Sequence, residues 1–374
     1  MKAHTNVRIL VFLKPSLLTV LALLVFILGY FPTWVEEYYS TGIYPAIGNT
    51  LRMITRHIPF SLGDILYGWI FIWLIISSIK GALSWRRHGF SRERFLLGSL
   101  RWYCRILSMY ILFKLLWGLN YSRLGLAAQF KLPRNAYSKT DVINLTNRLI
   151  DSLNSCRARI PDTSLPSPPT DSLYRLIYRG YDRLSIPYPF LVYTNRSVKT
   201  SLYSFLADYG GYTGYYNPFT GEAQVRSNMP RVMVPYVAAH EMAHQLGYAS
   251  ESEANFIGYL ATMHSGDAYS RYSAYLELFS YAQQEEIYQF ALDQDSTGLM
   301  QQMQANKTRL DTLVKKDRRE IRAFFAQRRN RIAPAISGLY DQYLRINQQE
   351  KGIRSYDEVI GWLIAYHQRY ESRQ

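Results

Sequence analysis

His240, Glu241 and His244 stand in the run His-Glu-Met-Ala-His. On a helix, residues four apart share one face, so two imidazole nitrogens can reach a single metal ion at about 2.0–2.1 Å. The glutamate between them points where it can take a proton from metal-activated water. A catalytic zinc takes three protein ligands and keeps a fourth position open. Glu251 and Glu253 follow on the next helix, and either can supply the third ligand. Two residues apart, they cannot share a helical face, so one binds and the other caps or faces solvent. Ser250 with Glu253 three residues later forms a capping-box pattern, which favours Glu251 as the ligand. Imidazole and carboxylate donors suit Zn2+.

These residues need elements to hold them. The run from Met233 to Leu246 reads as a helix stopped by Gly247, and a second helix opens at Ser250 and continues to about Met263. Before them, Gly214 to Val225 has extended residues on both sides of an Asn-Pro…Thr-Gly break, a hairpin pattern. Val142, Leu145, Leu149, Ile150 and Leu153 fall at helical spacing after a Ser138 cap, and Leu173, Leu176 and Ile177 suggest a further helix. A Pro- and Ser-rich patch over 161–169 reads as a loop. Residues 270–292, 308–328, 333–348 and 355–370 look helical, the last behind a Ser355…Glu358 box. The expected fold is mainly α with a small β element.

The chain has 374 residues, 48% hydrophobic and 19% charged, enough to bury a sizeable core. Its net charge is +15, but residues 1–123 carry 14 Lys/Arg against 4 Asp/Glu, so the basicity is mostly N-terminal. That third also holds three apolar segments, about 15–35, 62–84 and 102–121, each near the length that crosses a bilayer. Arg105 and Lys114 interrupt the third, which leaves an interfacial helix as its alternative. Lys2, Arg8 and Lys14 before the first segment, and Lys80, Arg86, Arg87, Arg92, Arg94 and Arg101 between the second and third, place the N-terminus and that connection in the cytoplasm. Three crossings then deliver residues 124–374 to the outer side; two would invert it. The basic cluster is a topology signal, and no nucleic-acid partner is expected. Two cysteines, Cys104 and Cys156, exclude a disulfide framework and are expected as free thiols.

The His240 block resembles the zincin metallopeptidases, and Glu251-Ser252-Glu253-Ala254-Asn255 is similar to the gluzincin Glu-x-x-x-Asp element. Carried over, the resemblance makes Glu251 the third zinc ligand and Asn255 the group that orients a ligand histidine. Asn255 stands where that family has Asp, and six residues between His244 and Glu251 is a spacing closer to metzincins, whose ligand position here is Ser250. A closer resemblance covers nearly the whole chain. The three apolar segments, Trp117 to Arg123, the Gly214 to Ala223 run, the His240 to Phe256 block and Gly352…Tyr356 are similar to a bacterial membrane family known only as domain-of-unknown-function family 3810.

Together these give the expectation tested below. Residues 1–123 form a membrane region, and 124–374 a zincin-like α+β catalytic domain with a helical C-terminal part. The chain is expected to be a multi-pass protein of the bacterial inner membrane, its catalytic domain periplasmic, hydrolysing an unidentified peptide or protein with Glu241 as general base. The strand near Glu222 to Arg226 is expected to pair with an extended substrate, as zincin edge strands do. Tyr248 or His264 could support an oxyanion, but packing or surface roles are expected for both and neither is counted in the site. The alternative is a membrane-anchored zinc-binding scaffold or receptor without turnover.

Overall fold

The computed structural model describes residues 2–132, 136–161, 168–349, 352 and 358–370, with side chains from residue 12 onward. Its N-terminal third is helical: α1 (Lys2–Leu28), α2 (Pro32–Trp34), a π-helix (Val35–Ile43), α3 (Tyr44–Thr55), α4 (Leu62–His88) and α5 (Arg92–Leu116). Thr19 on α1 meets Tyr103 on α5 at 2.8 Å, and Trp73 on α4 packs on Trp102 of α5 with ring centres 5.6 Å apart. Further along, Val25 and Leu28 of α1 cluster with Phe113 and Trp117, so α1 runs parallel to α5; α4 leaves the body at Asp64 and α5 returns to it at Trp117, so these two run antiparallel.

The three expected crossings become fewer. Among the described residues, Leu62–His88 alone is long and apolar enough to cross a membrane, and Phe12–Leu28 with Pro32–Thr55 qualifies only as a pair bent by 92°. The first segment stops at Leu28 because the chain turns there and restarts at Pro32, a residue suited to a helix's first position. The third begins ten residues earlier than expected, at Arg92, and takes in Arg92, Glu93, Arg94 and Arg101 besides Arg105 and Lys114. Those charges keep it from qualifying on composition.

The remaining chain forms α6 (Leu126–Gln129), α7 (Lys139–Ala158), α8 (Thr170–Leu184), α9 (Ala207–Gly210), α10 (Val234–Gln245), α11 (Glu251–His264) and α12 (Ala268–Leu292), then α13 (Ser296–Arg309), α14 (Thr312–Ala326), α15 (Ala333–Ile346) and α16 (Val359–Tyr370). The Ser138 cap forms a full capping box with Asp141. The helix expected over 308–328 is two elements, because Asp311 accepts from the Leu313 N–H and starts α14 anew. The Ser355…Glu358 box and most of the 161–169 loop fall outside the described residues. Cys104 and Cys156 are both free.

Three short strands, β1 (Val198–Thr200), β2 (Gly214–Asn217) and β3 (Glu222–Val225), make one sheet in the order β1-β3-β2. β1 runs parallel to β3, and β2 antiparallel to it with Gly214 opposite Val225. The hairpin is as expected, but β3 is central and paired on both sides. It has no edge to offer an extended substrate; β1 and β2 each have one side unpaired in the sheet.

Every residue of α10 is buried, as is α11 through Thr262. A helix buried all round belongs at the centre of a body: α8, α12 and α16 pack on this pair and α7 packs behind α12, with Leu149, Ile177, Phe256, Phe279 and Trp362 in one continuous core. Close approach needs a small residue at the crossing. A Cβ on Gly258 would lie 3.1 Å from the His240 nitrogen, so this glycine lets α11 rest against the backbone of α10.

Candidate metal centre

α10 and α11 bring His240, His244 and Glu251 together, and one ligand atom from each lies within 4.8 Å of the others. Glu251 Oε2 is 3.1 Å from His240 Nε2 and 3.5 Å from His244 Nε2, and the two Nε2 atoms are 3.0 Å apart. The opposite ring nitrogens are engaged outward. His244 Nδ1 lies 2.7 Å from the Tyr248 carbonyl oxygen, which only accepts, so this nitrogen carries the proton. His240 Nδ1 lies 2.7 Å from Asn255 Oδ1. With Nδ1 engaged outward, each imidazole leaves Nε2 facing a shared point, the nitrogen it would give to a metal.

Of the two rival acids, Glu251 faces this point and Glu253 does not. Glu253 Oε1 instead accepts from the Leu126 N–H at 2.8 Å, at the start of α6. The expected Ser250–Glu253 box is not formed, since Ser250 makes no side-chain cap bond. Long-range capping of another helix has replaced local capping. Asn255 stands one turn beyond Glu251 on the same helix and reaches His240.

Glu241 is buried beside the three donors, and its Oε2 has no hydrogen-bond partner. Its carboxylate lies against β2, where a Cβ on Gly214 would come within 2.6 Å of Oε1. Burial raises the Glu241 pKa to about 7, Glu251 adding to the rise and the histidines opposing it. For His244, burial disfavours charge, but the Glu251 carboxylate outweighs it and takes the imidazole up to about 9. Glu251 is held well below the usual carboxylate range, against its own burial, by His244 and His240.

The donor set, two imidazole nitrogens and one carboxylate oxygen, fits a zinc ion on chemistry and on count. Glu251 Oε2 is a buried oxygen without a hydrogen-bond partner, facing the two Nε2 atoms. A cation between the three would satisfy it.

Sequence reasoning missed what surrounds the donors. Tyr340 on α15 donates its hydroxyl to Glu251 Oε1 at 2.8 Å. Trp117 packs edge-on to the His244 ring, with centres 6.0 Å apart, and donates Nε1–H to the His244 carbonyl at 3.2 Å. The next carbonyl, of Gln245, accepts from Arg52 at 2.6 Å and from Tyr44 at 3.1 Å. The exposed carbonyls ending α10 are thus satisfied by residues from the first 123, and Arg123 donates to the Gly247 carbonyl at 3.0 Å. Gly247 has φ +88°, the left-handed stop its position suggests. Neither α3 nor the Trp117–Arg123 stretch is separable from the body that holds the site. Among 32 tyrosines no spacing marks Tyr340, so the sequence held no signal for it. Tyr248 and His264 turn elsewhere: the Tyr248 hydroxyl donates to Gln129, and His264 Nδ1 pairs with the Leu260 carbonyl.

The chain belongs to the family described as Protein of unknown function (DUF3810), which matches residues 39–364. No curated protein and no solved structure matches it. The family's span takes in Tyr44, Arg52 and Trp117 together with both metal-site helices, so the match covers the site and its N-terminal supports alike.

Proposed function

We propose that the chain is a membrane-anchored zinc metallopeptidase of zincin type. The reading rests above all on the His240, His244 and Glu251 donors converging with Glu241 buried beside them. These three side chains would hold the zinc. Bound there, zinc would act as a Lewis acid on the scissile carbonyl and acidify water. Glu241 takes the proton from the attacking water and returns it to the departing amine, a role suited to a buried carboxylate whose Oε2 has no hydrogen-bond partner. Asn255 and the Tyr248 carbonyl fix the two rings. Tyr340 holds the remaining Glu251 oxygen, so that Oε2 faces the histidines. β2, bordering Glu241 and unpaired along one side, replaces β3 as the strand available to an extended substrate.

The membrane reading takes α4 across a bacterial inner membrane, with α5 returning the chain beside it from Arg92 to Trp117 in the body and α1, paired with the segment after its bend, as the second candidate span. The basic stretch from Arg86 to Arg94 joins α4 to α5 and belongs on the cytoplasmic side, with the body on the periplasmic side. The first test is metal content and peptide cleavage of the full chain in detergent. One zinc per chain is expected, lost in His244→Ala and kept in Glu241→Gln while cleavage disappears. A folded protein without zinc refutes the reading.

A further inference from the structure

A cavity of about 880 Å³ opens between α1, α4 and α5, and none of the metal-site residues lines it. One end is lined by Lys14, Arg101 and Arg105; the other reaches Leu116 and Phe219, at the turn of the β2–β3 hairpin. Arg101 and Leu116 are fifteen residues apart on α5, so the cavity extends about 22 Å along the helix axis. Between its ends the wall is almost wholly apolar.

The charge at the first end is unbalanced. α1 has no acid, and α4 and α5 carry only Asp64 and Glu93. Asp64 lies at the body end of α4, where it accepts from the Leu202 N–H and from Tyr215. Glu93 stands eight residues before Arg101, about 12 Å along the helix. Among the described residues, no ion pair involves Lys14, Arg101 or Arg105. Arg105 is nonetheless held in place, its guanidinium 4.9 Å from the Trp73 ring centre and 5.1 Å from that of Trp102. Stacking of this kind fixes the plane and leaves the N–H edge for an anion. Three cations at the mouth of an apolar slot within a bilayer call for a ligand with an anionic head and an apolar tail.

We propose that this cavity binds one anionic phospholipid, its phosphodiester at Lys14, Arg101 and Arg105 and an acyl chain running toward Phe219. The lipid comes from the leaflet away from the body. A choline headgroup would bring its own cation among three others, so the slot discriminates by charge. The inference rests on the membrane part of the proposed function and not on the metal chemistry.

Cys104 lines the cavity, whereas Cys156 is buried in the body, so Cys104 alkylation reports on occupancy. The test uses the full chain in mixed micelles of dioleoyl phosphatidylglycerol or dioleoyl phosphatidylcholine. Bound lipid is counted by native mass spectrometry and Cys104 labelling by a maleimide is timed. One phosphatidylglycerol per chain is expected, retained about ten-fold over phosphatidylcholine, with labelling slowed only by the former. Arg101→Gln with Arg105→Gln should abolish the preference, and Lys14→Gln, at an exposed position, should weaken it if the double variant does not fold. Equal retention of the two lipids, an unchanged preference in these variants, or lipid-independent labelling overturns the proposal. Whether the full chain stays with the membrane fraction through an alkaline carbonate wash separates failure of this proposal from failure of the membrane reading.

Discussion

Asn255→Ala tests the metal centre through a residue that touches neither metal nor substrate. Asn255 is 1% exposed, and its Oδ1 lies 2.7 Å from His240 Nδ1. Removing the carbonyl takes that acceptor from the ring's N–H and with it one of the contacts that orient the ring. Loss of such an outer partner weakens metal binding by about 10–100-fold, equivalent to about 1.4–2.7 kcal/mol. His244 is anchored by a main-chain carbonyl that the substitution does not touch, so only one of the two rings loosens. The expected loss therefore falls in the lower part of that range, about 10–30-fold. The assay is competition for zinc between the full chain and a chromophoric chelator, with circular dichroism to confirm the fold. Asn255→Asp, which still accepts from Nδ1, should keep zinc binding within a few-fold of the native chain. An alanine variant that binds zinc within about two-fold of native would refute the reasoning, since His240 would then need no orientation.

Gly214→Ala should lose cleavage while keeping zinc, because the added methyl would fall 2.6 Å from Glu241 Oε1 and displace the carboxylate; unchanged turnover would show that Glu241 does not work from this position. Glu286, fully buried with Asn306 Nδ2 2.7 Å away, has its pKa raised from 4.5 to about 7, chiefly by burial. The native state then binds the proton more tightly than the unfolded chain, so stability present below pH 4.5 is lost as pH rises toward 7, by up to about 3 kcal/mol. Glu286→Gln should flatten this dependence and melt higher than native at pH 8, and parallel melting curves from pH 5 to 8 would contradict it. Asp317 accepts from Arg157 at 2.7 Å and from Tyr272 at 2.7 Å, all within the core. Asp317→Asn should cost about 3–5 kcal/mol in denaturant unfolding, the cost of leaving a buried guanidinium without its carboxylate.

What was legible in the sequence was local. The four-residue spacing of His240 and His244, the Gly247 stop, the Ser138 cap and the Asn-Pro…Thr-Gly turn each depend on a few neighbouring residues, and each appears where its spacing says. Choices between residues of one type were settled by distant partners. The Ser250 pattern favours Glu251 over Glu253 through a capping box that does not form; the two part because α6 offers Glu253 the Leu126 N–H and α15 offers Glu251 the Tyr340 hydroxyl. The order β1-β3-β2 reverses which strand has a free edge, since pairing partners are chosen across the chain. A boundary after residue 123 follows from hydropathy, yet Tyr44, Arg52 and Trp117 satisfy the carbonyls ending the histidine helix. Periodicity reports which face of an element is apolar and its caps where it ends. Only folding decides which remote donors reach those caps, and with them the company each ligand keeps.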